Sequence, residues 1–394
     1  MKQLMNKIAV AAVMLTTLMT GDVFAQIDVG SLPGIDTSGV NTVFTSIPFL
    51  RINPDARSGG MGEVGIATSA DIGAIYHNGS KLAFAQKPMS VGLTYTPWLR
   101  ELVDDIYIAH LAGYKKIDDL STIGGSLRYF SLGNIQFTDI SGASNGDYAP
   151  NEFAVDLAYA RKLSDNFSAG ITLKYVRSDL ARGQEVGSGN IVRAANAVAA
   201  DVSFFYKNDQ FTLGDRDAKF SLGGAITNIG NKVAYTEDDV RDFIPINLGL
   251  GSALEMAFDD YNKLTFAFDV NKLMVPTPDP SITDIEDPNH PRQKPLLSGM
   301  FGSFADAPGG GSEELKELMY SFGVEYWYND QFAVRAGHFN EHSDKGNRKY
   351  VTLGLGLRYT TFGLNFSYIL PTTNQRNPLD NTLRFGLTFD FGEE

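Results

Sequence analysis

General-base chemistry at neutral pH rests mainly on histidine, and this chain has five: His77, His110, His290, His338 and His342. The segment His338-Phe339-Asn340-Glu341-His342 spells H-x-x-E-H, which on a helix sets two imidazoles on one face for zinc. Here it closes an alternating segment and runs into Ser343-Asp344-Lys345-Gly346-Asn347, so the helical context is missing and a surface loop is the better reading. Gly60-Met61-Gly62-Glu63-Val64-Gly65 is a literal G-x-G-x-x-G, but a dinucleotide site needs a strand before it and a helix after it. Pro54 and Arg57 precede it instead, and a glycine-rich turn is expected. A serine hydrolase at the bilayer rim would need a Ser beside a His and an orienting acid. His110 sits among Ile108, Ala109 and Leu111 with no recognisable nucleophile near it. Cysteine is absent, which removes a thiolate nucleophile, a Cys-ligated metal, a disulfide framework and a lipoprotein anchor. Asp279, Asp284, Glu286 and Asp287 read as solvated loop charges rather than an ion site. No catalytic residue, cofactor or metal ligand is expected.

The elements that would hold any site are strands. The chain has 394 residues and a net charge of −13, with 43% hydrophobic and 20% charged residues, 40 Gly, 26 Phe and 17 Tyr. That balance is too apolar for disorder and too rich in glycine and aromatics for a helical protein, and its acidity argues against nucleic acid as a partner. Lys2 and Lys7 lead into an apolar stretch from Ile8 to Met19 closed by Val23-Phe24-Ala25, the pattern of a secretory signal peptide over residues 1–25. Beyond it no apolar run is long enough for a spanning helix.

From residue 90 the sequence alternates in segments of about ten residues, the length and period of a tilted membrane strand. Leu383, Phe385, Leu387, Phe389 and Phe391 oppose Arg384, Gly386, Thr388 and Asp390; Leu353, Leu355 and Leu357 oppose Thr352, Gly354, Gly356 and Arg358. About fourteen such segments fall between residues 90 and 391, an even number as bacterial barrels require. Short connections such as Ser164-Asp165, Asn329-Asp330 and Thr360 alternate with long ones at 133–150, 179–196, 230–244, 273–318 and 371–381, which separates a short-turn end from a long-loop end. Tyr95, Trp98, Tyr129, Tyr175, Tyr206, Tyr326, Tyr328, Tyr359 and Tyr368 stand at segment ends as aromatic girdles do. A soluble sandwich would also alternate, but leaves the loop asymmetry unexplained. The expected fold is therefore all-β: a transmembrane antiparallel barrel of about fourteen strands over residues 90–394.

On that alternation Arg128, Asp156, Lys174, Asp269, Glu325, Arg358, Arg384 and Asp390 face the lumen, because Arg or Lys facing lipid at mid-depth costs about 2–4 kcal/mol. Their expected role is to line a wet interior and hold a plug; selective transport is the sharper and weaker reading. Residues 26–89 precede the barrel and supply that plug, with Arg51, Asp55 and Arg57 as candidate partners for the wall charges. Inside loop 273–318, Ser312 before Glu313-Glu314 reads as the cap of a short helix.

The stretch Arg51-Ile52-Asn53-Pro54-Asp55-Ala56-Arg57-Ser58-Gly59-Gly60-Met61-Gly62-Glu63-Val64-Gly65-Ile66-Ala67-Thr68, followed by Tyr76-His77-Asn78-Gly79-Ser80-Lys81-Leu82-Ala83-Phe84, resembles the plug region of the PorV family. These are outer-membrane proteins of the type IX secretion system, distantly related to the FadL fatty-acid channels. Where such proteins usually read Asn-Pro-Ala, this chain has Asn78-Gly79-Ser80. The resemblance implies a non-enzymatic FadL-like barrel in the cell outer membrane, embedded in its lipid, with both termini in the periplasm. It implies a shuttle that binds the C-terminal signal domains of secreted cargo, takes them from the large translocon barrel (SprA, or Sov) and passes them to the attachment complex containing the sortase PorU. Two alternatives stand beside it: a FadL-like channel for hydrophobic small molecules, and a role in lipopolysaccharide deacylation, for which no catalytic constellation is visible.

Overall fold

The computed structural model describes residues 41–392 apart from residues 100–104, 139–143, 182, 184, 187–189, 214–215, 237–239 and 374–380. The expected signal peptide and the first part of the expected plug segment lie outside the described residues.

Fourteen antiparallel strands close into a barrel: β1 (Met89–Pro97), β2 (Ile106–Lys116), β3 (Ser121–Leu132), β4 (Asn151–Lys162), β5 (Phe167–Asp179), β6 (Ala195–Leu213), β7 (Arg216–Gly230), β8 (Asn247–Ala257), β9 (Asn262–Leu273), β10 (Met319–Tyr328), β11 (Phe332–Asn340), β12 (Lys349–Tyr359), β13 (Phe362–Pro371) and β14 (Leu383–Phe391). Each strand pairs with its neighbours in sequence, and β1 closes on β14 in the register Met89↔Phe391 to Tyr95↔Phe385. Closure is obligatory, because a backbone group left unpaired in hydrocarbon costs several kcal/mol. β6 and β7 slip register between Ala200 and Val202 and again between Asn208 and Phe211.

The alternation has the physical cause expected of it. Leu93, Leu111, Leu157, Leu173, Leu250, Leu355, Leu364 and Phe385 are exposed on the outer wall, while their neighbours point inward and are buried. Such an apolar exterior is stable only against lipid. Outward aromatics ladder across strands near the long-loop end, with Tyr95 and Tyr107 rings 5.5 Å apart and Tyr107 and Tyr129 rings 6.2 Å apart. Trp98 departs from this belt. β1 ends at Pro97 and Leu99 takes a positive φ of 51°, so the chain turns over the rim and the indole packs edge-on against Phe130, buried.

Residues 41–88 fill the lumen. Asn41 sits at the long-loop end, its N–H donating to the Asp344 carbonyl, and the segment reaches the short-turn end at Met89. It carries helix α1 (Ala56–Gly59), helix α2 (Ala74–His77) and two 3-10 turns, Pro48–Arg51 and Gly79–Phe84. Toward the long loops, Val43, Ile47, Phe49 and Leu50 join Phe130, Phe243, Ile244, Met274, Met300 and Phe339 in one apolar cluster across the barrel mouth. Long loop 274–318 holds helices α3 (Leu296–Gly302) and α4 (Gly311–Lys316). Ser312 does not cap α4: Gly310, at φ 68° and ψ −155°, takes the cap position, a backbone conformation that glycine adopts without penalty. Ser312 lies in the first turn of α4 and donates to the Gly309 carbonyl at 3.1 Å.

Candidate functional site

The plug is organised by its own sequence before it meets the wall. Asp55 Oδ2 accepts from Ser58 N at 2.8 Å and Oδ1 from Arg57 N at 3.2 Å, capping α1. Asn53 Oδ1 accepts from Asp55 N at 2.9 Å, and Asn53 Nδ2 donates to Ser58 Oγ at 2.7 Å. Pro54 fixes the extended entry to this turn. Asp55 is thus a helix cap and not the wall partner its charge suggested, since its carboxylate is consumed by backbone donors of the same turn. Ser58 Oγ also meets His77 Nε2 at 2.9 Å, which ties α1 to α2. At Asn78-Gly79-Ser80, Asn78 Oδ1 accepts from Ser80 N at 3.2 Å, and Nδ2 donates to the carbonyls of Ile66 and Phe204 at 3.0 and 2.9 Å.

The glycines let backbone lie on backbone. A Cβ on Gly337 of β11 would stand 2.0 Å from Gly62 N, and one on Gly60 would stand 2.8 Å from the Gly354 Cα. Gly62 itself has φ of 67°, a region costly for other residues, and donates its N–H to Thr352 Oγ1 at 2.7 Å. Gly59 lies beside Arg384, where a Cβ would come within 2.7 Å of Nη1. The G-x-G-x-x-G stretch is therefore a contact surface for the wall.

Four of the sequence-selected wall charges reach the plug. Arg57 forks onto Glu325 (Nε to Oε2 2.9 Å, Nη2 to Oε1 2.6 Å) and reaches Asp71 at 2.8 Å. Asp269 Oδ2 accepts from Gly65 N and Ile66 N at 2.7 and 3.0 Å. Arg384 Nη2 meets Glu63 Oε1 at 3.1 Å. Arg128 Nη1 donates to the Leu50 carbonyl at 3.3 Å, and its guanidinium covers the Tyr76 ring at 4.9 Å. Asp156 and Lys174 are buried but bond within the wall: Asp156 accepts from Ser126 Oγ at 2.6 Å, and Lys174 Nζ meets Asp201 at 3.2 Å and Asn228 Oδ1 at 2.6 Å. Arg358 and Asp390 stand at the short-turn rim, away from the plug. Arg358 is exposed over the Trp327 ring at 4.8 Å, and Asp390 accepts from Ser90 Oγ at 2.7 Å.

Other charges of the site were not singled out from sequence. Arg335, buried, donates to Glu325 Oε2 at 2.6 Å and completes an Arg57–Glu325–Arg335 triad; its alternation with Ala333 and Gly337 carried the signal. Lys81, buried in the plug, donates to Thr68 Oγ1 at 3.1 Å. At the long-loop end Arg51, expected from sequence to pair with one of the inward wall charges, instead meets Glu341 beyond the end of β11 at 3.2 Å, because the turn Pro48–Arg51 lies toward the loops; Arg348 binds the same carboxylate at 2.7 Å. Burial opposes ionisation of Glu341, but Arg348 and Arg51 hold its carboxyl below the ordinary glutamate range. Glu313 of α4 accepts from Lys345 Nζ at 2.6 Å and from Asn41 Nδ2 at 2.9 Å, while Lys345 also meets Glu317 at 3.0 Å. Loop, plug and β11–β12 connection are so joined into one surface. His338 is exposed on the outer wall, whereas His342 Nδ1 accepts from Asp344 N at 3.2 Å in a turn; the two imidazoles face different surroundings.

A cavity of about 110 Å³ remains between plug and wall, bordered by Arg51, Tyr76 and His77 on one side and Asn228, Asp269 and Arg348 on the other. Its size is below the roughly 300–1,000 Å³ of drug-sized ligand sites.

A family model described as "Type IX secretion system protein PorV" matches residues 36–280. No curated protein matches the chain. Among solved structures, the Pseudomonas putida toluene transporter TodX is similar at 11% identity and a TM-score of 0.49, covering 86% of this chain and 98% of that one. The Ralstonia pickettii toluene transporter TbuX gives 11% identity and a TM-score of 0.48 over the same shares. A Pseudomonas aeruginosa FadL homologue gives 11% and 0.42, covering 90% of this chain and 100% of that one.

Proposed function

This chain belongs to the family of the type IX secretion system protein PorV, and from that premise we propose that it is the shuttle barrel of the system, holding secreted cargo by its C-terminal signal domain. It is an outer-membrane β-barrel of a secretion system. In the orientation proposed, the short turns and the C-terminus face the periplasm, while the long loops face outward and receive cargo from the SprA/Sov translocon for delivery to the PorU complex. The expectation of a periplasmic N-terminus concerns residues outside those described. The nearest described residue, Asn41, sits at the long-loop end and therefore on the outer side in this orientation.

The observation that carries this reading is the family match over residues 36–280. The structure supports it in two ways. The lumen is filled by the plug and capped by the apolar cluster around Phe49 and Phe339, which suits a docking scaffold better than a conduit. The long-loop end is also built as a surface, with α4 pinned by Glu313 and Glu317 to Lys345, and loops on a rigid barrel can vary for binding. The FadL-like channel is the weaker reading, because the cavity is small and charged and amide groups such as Arg51, Asp269 and Asn271 share its lining with apolar ones such as Leu50, Leu273 and Phe339. Deacylation is weaker still: Ser58 is buried and its Oγ already takes the Asn53 amide.

The test is site-specific photo-crosslinking in living cells from exposed Leu297 and Phe301 on α3 and, as reference, from Asp330 in a short turn. Adducts with cargo signal domains from the α3 positions alone are expected. Adducts from Asp330 alone would reverse the proposed docking face, and none from any position would remove cargo binding.

A further inference from the structure

His338, the first imidazole of the H-x-x-E-H stretch, faces neither the plug nor the loops. In β11 it shares the outward face with Phe332 and Val334, both exposed, and its pairing with Phe322 on β10 and Val351 on β12 places it in the apolar belt of the wall. Two residues on, Asn340 takes the next outward position at the loop end of the strand and stands opposite Lys349, the first residue of β12. Lys349 shares its face with Val351 and Leu353. Tyr320 flanks Asn340 from β10, its ring stacked on Phe268 at 6.3 Å. Polar donors thus gather where the apolar wall ends, the level at which a lipid carries its headgroup.

Lys349 differs from other outward cations at this rim. Arg177 near the end of β5 meets Asp179 at 3.3 Å, and Lys272 near the end of β9 meets Glu314 at 3.0 Å as well as Glu317. Neither the Lys349 ammonium nor the Asn340 amide bonds to another of the described residues. The acids of the adjoining β11–β12 connection are committed to other cations, Glu341 to Arg348 and Arg51, and Asp344 to Lys316. The His338 ring bonds to the Tyr350 carbonyl and keeps its second nitrogen for a further partner. Opposed residues of an antiparallel pair stand about 5 Å apart at Cβ and diagonal ones about 7–8 Å, so one anion can touch Lys349, Asn340 and His338 together. We propose that this corner of the wall holds the phosphate of one anionic membrane lipid, with Lys349 as counter-ion, Asn340 and His338 as further partners, and the acyl chains lying on Phe322, Val351 and Leu370. Charge-assisted hydrogen bonds to phosphate are the strong ones, and the lipid is their source because the donors lie outside the barrel among lipid-facing side chains. The inference concerns the wall and not the loops, so it stands whether or not cargo docks there; in the orientation proposed above the lipid belongs to the outer leaflet.

The experiment is native mass spectrometry of the purified full chain in neutral detergent, titrated with dioleoyl phosphatidic acid and, as its counterpart without the phosphate, dioleoylglycerol. One phosphatidic acid per barrel is expected to bind about tenfold more tightly than the diacylglycerol. Lys349→Gln is expected to weaken that binding about tenfold and Lys349→Arg to preserve it. Lys115→Gln, which removes an exposed outward cation at the short-turn rim, is expected to leave it unchanged, which separates a local site from a general attraction to cationic rims. Equal binding of the two lipids, an affinity unmoved by Lys349→Gln, an equal loss from Lys115→Gln, or displacement of the lipid by equimolar inorganic phosphate overturns the proposal. Should Lys349→Gln not fold, Asn340→Leu takes its place with an expected loss of about threefold, and an affinity unmoved there overturns the proposal equally.

Discussion

Single side chains fix the plug through charges that have no aqueous alternative. Glu325 is buried between Arg57 and Arg335, so Glu325→Gln strands two cations, whereas Arg57→Met leaves Glu325 with Arg335 still in place. Breaking one partner of a buried pair typically costs about 3–5 kcal/mol. Glu325→Gln should therefore lower the thermal unfolding midpoint in detergent clearly more than Arg57→Met, and the reverse order would show that the triad does not anchor the plug. Much of this chemistry was legible in sequence. Strand alternation alone brought out Glu325, Asp269, Arg128 and Arg384 as inward charges. It did not reveal that Asp55 would turn back to cap α1, because local backbone donors compete with distant cations and, two and three residues away, are nearer. Nor did it pair Arg51 with Glu341, which lie 290 residues apart and meet only after the barrel closes.

Elements show where periodicity suffices and where it fails. β12 (Lys349–Tyr359) keeps the alternation of Leu353, Leu355 and Leu357 against Thr352, Gly354 and Gly356 because lipid on one side and plug on the other enforce a period of two over its length. In β6 periodicity fails beyond residue 207, where the strand continues to Leu213 past a register shift at Asn208–Phe211; an extra residue inverts the alternation there. Inward glycines such as Gly337 are seats for the plug backbone. Gly337→Ala would place its Cβ 2.0 Å from Gly62 N, an overpacking expected to cost about 1–3 kcal/mol. Limited proteolysis should then cleave within residues 41–88 faster than in the parent, and an unchanged digestion pattern would contradict this packing.

The loop end adds a pH dependence. Burial pushes Glu313 and Glu341 upward, but Lys345 and the Gly309 amide for Glu313, and Arg348 and Arg51 for Glu341, leave both below the ordinary value of 4.5. A depressed folded-state value means the unfolded chain binds more protons, so this stabilisation is complete above about pH 5 and is lost as pH falls below 4.5 through the folded values. Protease access to loop 274–318 should rise on acidification below pH 4.5, and Glu313→Gln should flatten that rise. A loop equally protected at pH 3 and pH 7 counts against a role for the Glu313 and Glu341 ion pairs in holding it.

At the scale of the whole molecule, one lumen-filling segment joins the two ends of the barrel, with Asn41 among the long loops and Met89 paired to Phe391 at the short turns. Orientation in the membrane is then a single binary question. The absence of cysteine makes it direct: Phe44→Cys, at a position 77% exposed near the long loops, should react with an impermeant maleimide on intact cells, and Asp330→Cys only after the outer membrane is opened. The opposite pattern would invert the barrel.

Deletion of the gene for this barrel, with quantitative location of proteins bearing the C-terminal signal, tests its proposed role as a carrier of type IX cargo. These proteins are expected to accumulate in the periplasm with their signal domains uncleaved, and re-expression of the chain to restore them to the surface. Normal delivery and processing without the barrel would contradict it.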